Sequence, residues 1–157
     1  MAKKNIWRIS LCLTAVLALL LLASCTSKPS VDRSGLGQMT LFKDVGCGCC
    51  GAYAQYAQSE GADVSVQDVS DVSQVKDDMG VPEKMRSCHT VQVGEYFVEG
   101  HIPLEAVEKL MSERPDIKGI ALPGMPSGSP GMPGQKKGAW VIYAVNKDGS
   151  TQEFMRI

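Results

Sequence analysis

A short β-rich run, Met39 to Lys43 (MTLFK), breaks at Asp44-Val45-Gly46 and gives way to good helix formers in CCGAYAQYAQSEG, from about Cys49. Ala52, Tyr53, Tyr56 and Ala57 have the spacing of one helix face, and Gly61 ends the run. A strand that delivers its loop straight onto a helix start belongs to an α/β architecture. The loop here is GCGCC, residues 46–50, with three thiols in four consecutive positions. A helix N-terminus carries unpaired backbone N–H groups and the positive end of the peptide dipoles. Both favour thiolate, the form that binds metal or attacks a disulfide. Gly46, Gly48 and Gly51 let the chain turn sharply and keep bulk away from the sulfurs.

The remaining pattern extends the same class. ADVSVQDV alternates and predicts a strand from about Asp63 to Val69, after which Ser70 can cap a short helix, DVSQVKDDM, closed by Gly80 and Pro82. HTVQV and EYFVE predict two strands turning at Gly94. Pro103 opens LEAVEKLMSERP, with Leu104, Val107, Leu110 and Met111 on one helical face. AWVIYAV and TQEFMRI flank the turn Asn146-Lys147-Asp148-Gly149. The order β-α-β-α-β-β-α is that of a thioredoxin-like domain, here with an added C-terminal β-hairpin. No internal repeat competes with one domain over residues 39–157.

Residues 1–24 begin with Lys3, Lys4 and Arg8, continue through LCLTAVLALLLLAS and hold no acidic residue, which predicts an export signal. The run ends in Leu22-Ala23-Ser24-Cys25, a pattern that resembles a bacterial lipobox and predicts cleavage before a lipidated Cys25. Thr26 is not the aspartate of an inner-membrane retention signal, so the expected anchor is the outer membrane, facing the periplasm. Residues 26–38, TSKPSVDRSGLGQ, read as a tether that spans about 40 Å when extended at about 3.3 Å per residue. The processed chain has 13 basic and 17 acidic residues, a formal −4. No basic stripe is left to attract phosphate, which argues against a nucleic acid partner.

Cys12 leaves with the signal and Cys25 carries lipid, so Cys47, Cys49, Cys50 and Cys88 remain in an oxidising compartment. Three chemistries stay open for them. Cys47 and Cys50 have the C-x-x-C spacing of thiol–disulfide exchange, although Cys49 beside them invites mispairing. Structural disulfides suit an exported interaction module, although a domain this long can bury a core without staples. A soft metal explains why several sulfurs crowd one loop, and thiolates that share ions suit copper(I) better than a closed tetrahedral zinc site.

RSCHT, residues 86–90, sets Cys88 beside His89 just before the third strand, and in a thioredoxin-like order that loop faces the first helix start. His89 reads equally as a hydrogen-bonded core histidine or a ligand, and so does His101 in GHIP. LPGMPSGSPGMPG, residues 122–134, repeats Pro-Gly-Met at Met125 and Met132. It reads either as a surface loop pinned by apolar methionines or as a thioether lid over copper(I).

VGCGCCG, VPEKMRSCHTVQVGEYFVEGHIP and ALPGMPSGSPGM, in that order, resemble the CopG-like bacterial periplasmic proteins, a family catalogued as a domain of unknown function and associated with copper resistance. The resemblance runs from about Met39 to Ile157. It implies a thioredoxin-like fold carrying a cysteine-centred cluster of copper ions, with copper(I) favoured, at the CxCC loop. It also implies a role in copper handling, including interconversion of Cu(I) and Cu(II), alongside other periplasmic copper-handling proteins. By motif, the implied core ligands are Cys47, Cys49, Cys50 and Cys88, with His89, His101, Met125 and Met132 as further candidates. The alternative function is a thiol–disulfide oxidoreductase using Cys47 and Cys50.

Overall fold

A computed structural model describes residues 33–157. The export signal, Cys25 and most of the expected tether lie outside the described residues. The strands are β1 (Met39–Asp44), β2 (Val64–Val69), β3 (His89–Val93), β4 (Tyr96–Glu99), β5 (Ile117–Ala121), β6 (Val141–Asn146) and β7 (Thr151–Arg156). The α-helices are α1 (Gly48–Ser59), α2 (Val72–Asp78) and α3 (Leu104–Glu113). All seven strands join one mixed sheet in the order β2-β1-β3-β4-β5-β6-β7. β1 pairs parallel with β2 and antiparallel with β3, and β4 pairs parallel with β5.

Side-chain alternation divides the core between the two faces of the sheet. On one face Met39, Leu41, Val91, Val93 and Val98 join Tyr53, Ala54 and Ala57 of α1 and Leu104, Val107 and Leu110 of α3. On the other, Phe97, Ala121 and Val145 join Val81 and Met85 from the segment after α2. The amphipathic stripe read in LEAVEKLMSERP is thus the buried side of α3. That helix ends where Arg114 turns left-handed (φ 46°) and its N–H bonds the Leu110 carbonyl. α2 is capped one residue later than the sequence suggests: Asp71, not Ser70, accepts the Ser73 N–H at 2.8 Å. A carboxylate at this position also meets the positive end of the helix dipole.

Two further features depart from the sequence reading. The C-terminal hairpin is not appended directly to a β-α-β-α-β-β-α core, because β5 intervenes and completes a parallel β4-α3-β5 crossover. Gly119 weakens the strand signal of IKGIA, yet it sits opposite Phe97 in the pairing, where the aromatic ring fills its missing side chain. Second, Arg33 to Leu36 fold onto the domain, within the stretch read as tether. Leu36 enters the core, and Arg33 reaches Glu108 at 2.6 Å and the Glu60 carbonyl at 2.6 Å. Among the described residues no helix is long and apolar enough to cross a membrane.

A Cβ at position 119 would lie 2.1 Å from the Phe97 carbonyl oxygen and 2.7 Å from its ring. Gly119→Ala is therefore expected to destabilise the domain by about 1–3 kcal/mol. A melting curve unchanged from wild type would show that β4 and β5 are not packed this closely.

Candidate metal centre

Antiparallel pairing sets Lys43 of β1 opposite His89 of β3. The chain leaving β1 and the chain entering β3 therefore meet at one end of the sheet. Gly46 takes φ +83°, the left-handed turn that starts the loop. The Cys47 N–H bonds the Asp44 carbonyl at 3.1 Å, and Cys47 becomes the residue that caps α1 without a side-chain hydrogen bond. The first turn of α1 thus opens with sulfur where a hydroxyl or carboxylate usually stands.

Cys47 and Cys50 are joined in a disulfide, while Cys49 and Cys88 are free thiols. The Cys49 Sγ lies 3.6 Å from Cys47 Sγ and 3.6 Å from Cys88 Sγ, and all four sulfurs fall within 4.8 Å of one another. Cys88 also belongs to a second cluster. Its Sγ is 3.0 Å from His101 Nε2 and 3.4 Å from His89 Nδ1. One sulfur thus joins a thiol group to a pair of imidazoles.

The tautomer of His101 follows from its partner. The Pro130 carbonyl, 2.7 Å from Nδ1, can only accept, so Nδ1 carries the proton and the Nε2 lone pair faces Cys88. His89 is fully buried, its ring 4.6 Å from that of Tyr53 and edge-on to His101 at 4.8 Å. Among the described residues its Nε2 has no hydrogen-bond partner, and the Gly100 backbone, which favours the protonated ring, is outweighed by burial. A buried ring nitrogen without a partner is uncommon and marks a place where a ligand would satisfy it.

Burial sets the protonation of the cluster. It lowers the His89 pKa to about 3, helped by the charges of His101 and Lys76. It lowers His101 as well, partly offset by the Pro130 carbonyl. Both rings are neutral near neutral pH, the form that ligates metal. Burial, with the adjoining Cys49, pushes the Cys88 thiol up to about 12. A cation binding here must displace that proton. Soft sulfur with neutral imidazole is a donor set that fits copper(I).

The Pro-Gly-Met segment runs over this cluster. Gly124 N–H bonds the Arg86 carbonyl, and Ser87 Oγ donates to the Gly124 carbonyl. Gly131, at φ +78°, packs so closely on α1 that a Cβ would lie 2.6 Å from Tyr53 N and 3.0 Å from the Cys49 carbonyl oxygen. Met132 follows it half-buried, whereas Met125 stands exposed. The structure thus gathers the four cysteines and both histidines and carries the two methionines on the covering loop. Sequence reasoning missed the Tyr53 wall, the Pro130 carbonyl and a buried set of Lys76, Thr90 and Glu99 behind the site. Alternation in EYFVE does place Glu99 on the same face as buried Phe97, a signal that could have flagged it.

The lowered His89 pKa has a consequence for stability. Between its folded value of about 3 and the ordinary 6.5 of an unfolded histidine, only the unfolded chain takes up the proton. Stability is therefore lost as pH falls through that window. Thermal melts of wild type and His89→Gln from pH 7 to pH 4 are expected to show a shallower acid decline for the variant. Parallel declines would mean that His89 is not held neutral.

Comparison with known proteins follows the same residues. A family description, "Protein of unknown function, DUF411", matches residues 85–132, from the segment before Cys88 through Met132. Two solved structures titled "Copper resistance protein copG", forms 2 and 1, each superpose with a TM-score of 0.71 at 36% identity over 76% of this chain. The match covers 97% and 96% of those two chains. No curated protein matches. With more than a third of its aligned residues shared over nearly the whole length of both solved relatives, the chain belongs to the CopG family.

Proposed function

We propose that this chain is a copper-binding protein of copper homeostasis or resistance, built on a thioredoxin-like scaffold. The observation that carries the reading is the gathering of four sulfurs from two separate segments within 4.8 Å, with two neutral imidazoles beside one of them. Crowded sulfurs suit copper(I) and the sharing of more than one ion between them. The titles of the two solved relatives, which speak of copper resistance, point the same way. Cys49 and Cys88, free in this structure, and Cys47 and Cys50, once a two-electron reductant has opened their disulfide to two thiolates, are the proposed core ligands, with His89 and His101 at the Cys88 end. Met125 and Met132 offer thioethers from the covering loop. Interconversion of Cu(I) and Cu(II) is the redox role this donor set can serve. The lipobox pattern at Cys25 places the domain, in this proposal, on the outer membrane facing the periplasm, where its partners are other copper-handling proteins.

The mature domain, purified anaerobically with a reductant and copper, is expected to retain more than one copper per chain by elemental analysis. The variant with Cys49→Ser and Cys50→Ser is expected to lose most of it. Equal copper content in the two proteins would end the copper reading.

A second reading is favoured by one observation, the Cys47–Cys50 disulfide at the start of α1. That is where a reactive pair exchanges most readily, because the helix end stabilises the thiolate that leaves. As a thiol–disulfide oxidoreductase, the metal-free protein would reduce or oxidise a test peptide disulfide, and Cys47→Ser would abolish the turnover. Under the copper reading, the metal-free wild type shows no turnover above the uncatalysed rate.

A further inference from the structure

Behind the cysteines lies a set of charged groups that the copper reading does not use. Glu99, the last residue of β4, is fully buried, and so are Thr90 of β3 and Lys76 of α2. The Glu99 Oε1 accepts from Lys76 Nζ at 2.6 Å and from the Ser87 backbone N–H at 2.6 Å. Its Oε2 accepts from the Thr90 hydroxyl at 2.5 Å, and Lys76 also donates to Thr90 Oγ1 at 2.9 Å. Burying an ammonium and a carboxylate is expensive, and an apolar pair of similar volume often serves stability equally well. Phe97 shows that this face of β4 accepts an apolar side chain.

What an apolar pair could not supply is the acceptor for Ser87. The three donors come from three places that bracket the site: Ser87 precedes Cys88, Thr90 follows His89, and Lys76 comes from α2. Glu99 stands two residues ahead of His101. Its backbone carbonyl accepts the Leu122 N–H at 3.0 Å, where the covering loop begins, and the Gly100 N–H bonds the His89 carbonyl at 3.1 Å. One carboxylate thus ties together the segments that carry Cys88, His89 and His101.

We propose that Glu99, held by Lys76 and Thr90, is a positioning residue of the metal centre: it fixes the Ser87–His89 backbone so that Cys88 Sγ stands between Cys49 and His101 before any cation arrives. This rests on the copper reading of the same site. Partners one shell behind a ligand commonly set its geometry, and a preset sulfur spares the cation the cost of ordering the loop.

Two double variants separate positioning from simple stability. In Lys76→Met with Glu99→Leu, both charges and the acceptor for Ser87 are gone. In Lys76→Met with Glu99→Gln, the charges are gone but an amide oxygen can still accept the Ser87 N–H. Both are expected to melt cooperatively. In competition with a chromogenic cuprous chelator, the leucine variant is expected to bind Cu(I) about 10- to 100-fold more weakly than wild type, the range typical for loss of such a partner. In the reduced, metal-free leucine variant, Cys88 is expected to react several-fold faster with iodoacetamide relative to Cys49. The glutamine variant is expected to match wild type in both measurements. Equal behaviour of the two variants would overturn the proposal. So, whatever the variants do, would a Ser87 amide proton in metal-free wild type that exchanges with solvent as fast as an exposed loop amide. If wild type binds no Cu(I), the copper reading fails, while the alkylation contrast and the amide exchange still decide the positioning role.

Discussion

The antiparallel pairing of β1 with β3 is the constraint from which the rest of this molecule follows. Its register puts Lys43 against His89. GCGCC begins three residues after Lys43, and Cys88 immediately precedes His89. Two segments some forty positions apart in the chain are thereby fixed at one sheet end, with the Cys49 and Cys88 sulfurs 3.6 Å apart. A slip of one residue would turn the side chains of β3 to the opposite face and send His89 away from Tyr53.

Around that meeting point, each layer restrains the next. The main core clamps α1 and α3 on one face of the sheet, and Tyr53 reaches across to the Ile102 carbonyl at 2.9 Å, beside His101. Tyr53 also forms the wall against which His89 rests. Pro130 selects the His101 tautomer, and Gly131 lets the loop lie directly on the first turn of α1. The loop is rich in proline and glycine because its backbone, more than its side chains, makes these contacts. The result is a site in which two buried imidazoles and the half-buried Cys88 thiol are neutral near neutral pH.

Much of this was legible in the chain. Short β-rich runs, one of them alternating, and the turns between them marked six of the seven strands among the described residues, and the three α-helices there stand where propensity and spacing put them. β5 escaped because it is only five residues long with a glycine at its centre, and its partner on β4 supplies the bulk that a strand residue normally carries. The Asp71 cap was missed because serine and aspartate stand side by side there and local pattern does not rank them. The cysteine and histidine set was visible as motifs, since their chemistry is written in residue type. Lys76 was not, because a charged residue in a short amphipathic stretch looks the same whether it meets water or a buried partner, and Glu99 was marked only by its place two residues after Phe97.

The sequence by itself determined which atoms are on offer: soft sulfur at a helix start, a cysteine beside a histidine, and the glycines and prolines that allow a loop to lie flat. Tertiary structure alone decided which of those atoms meet, which nitrogen of His101 is free, and that His89 is held neutral with an unsatisfied Nε2. The division has a physical cause. Residue type and local periodicity act over a few positions, whereas burial and proximity depend on strand register and on contacts between segments far apart in the chain.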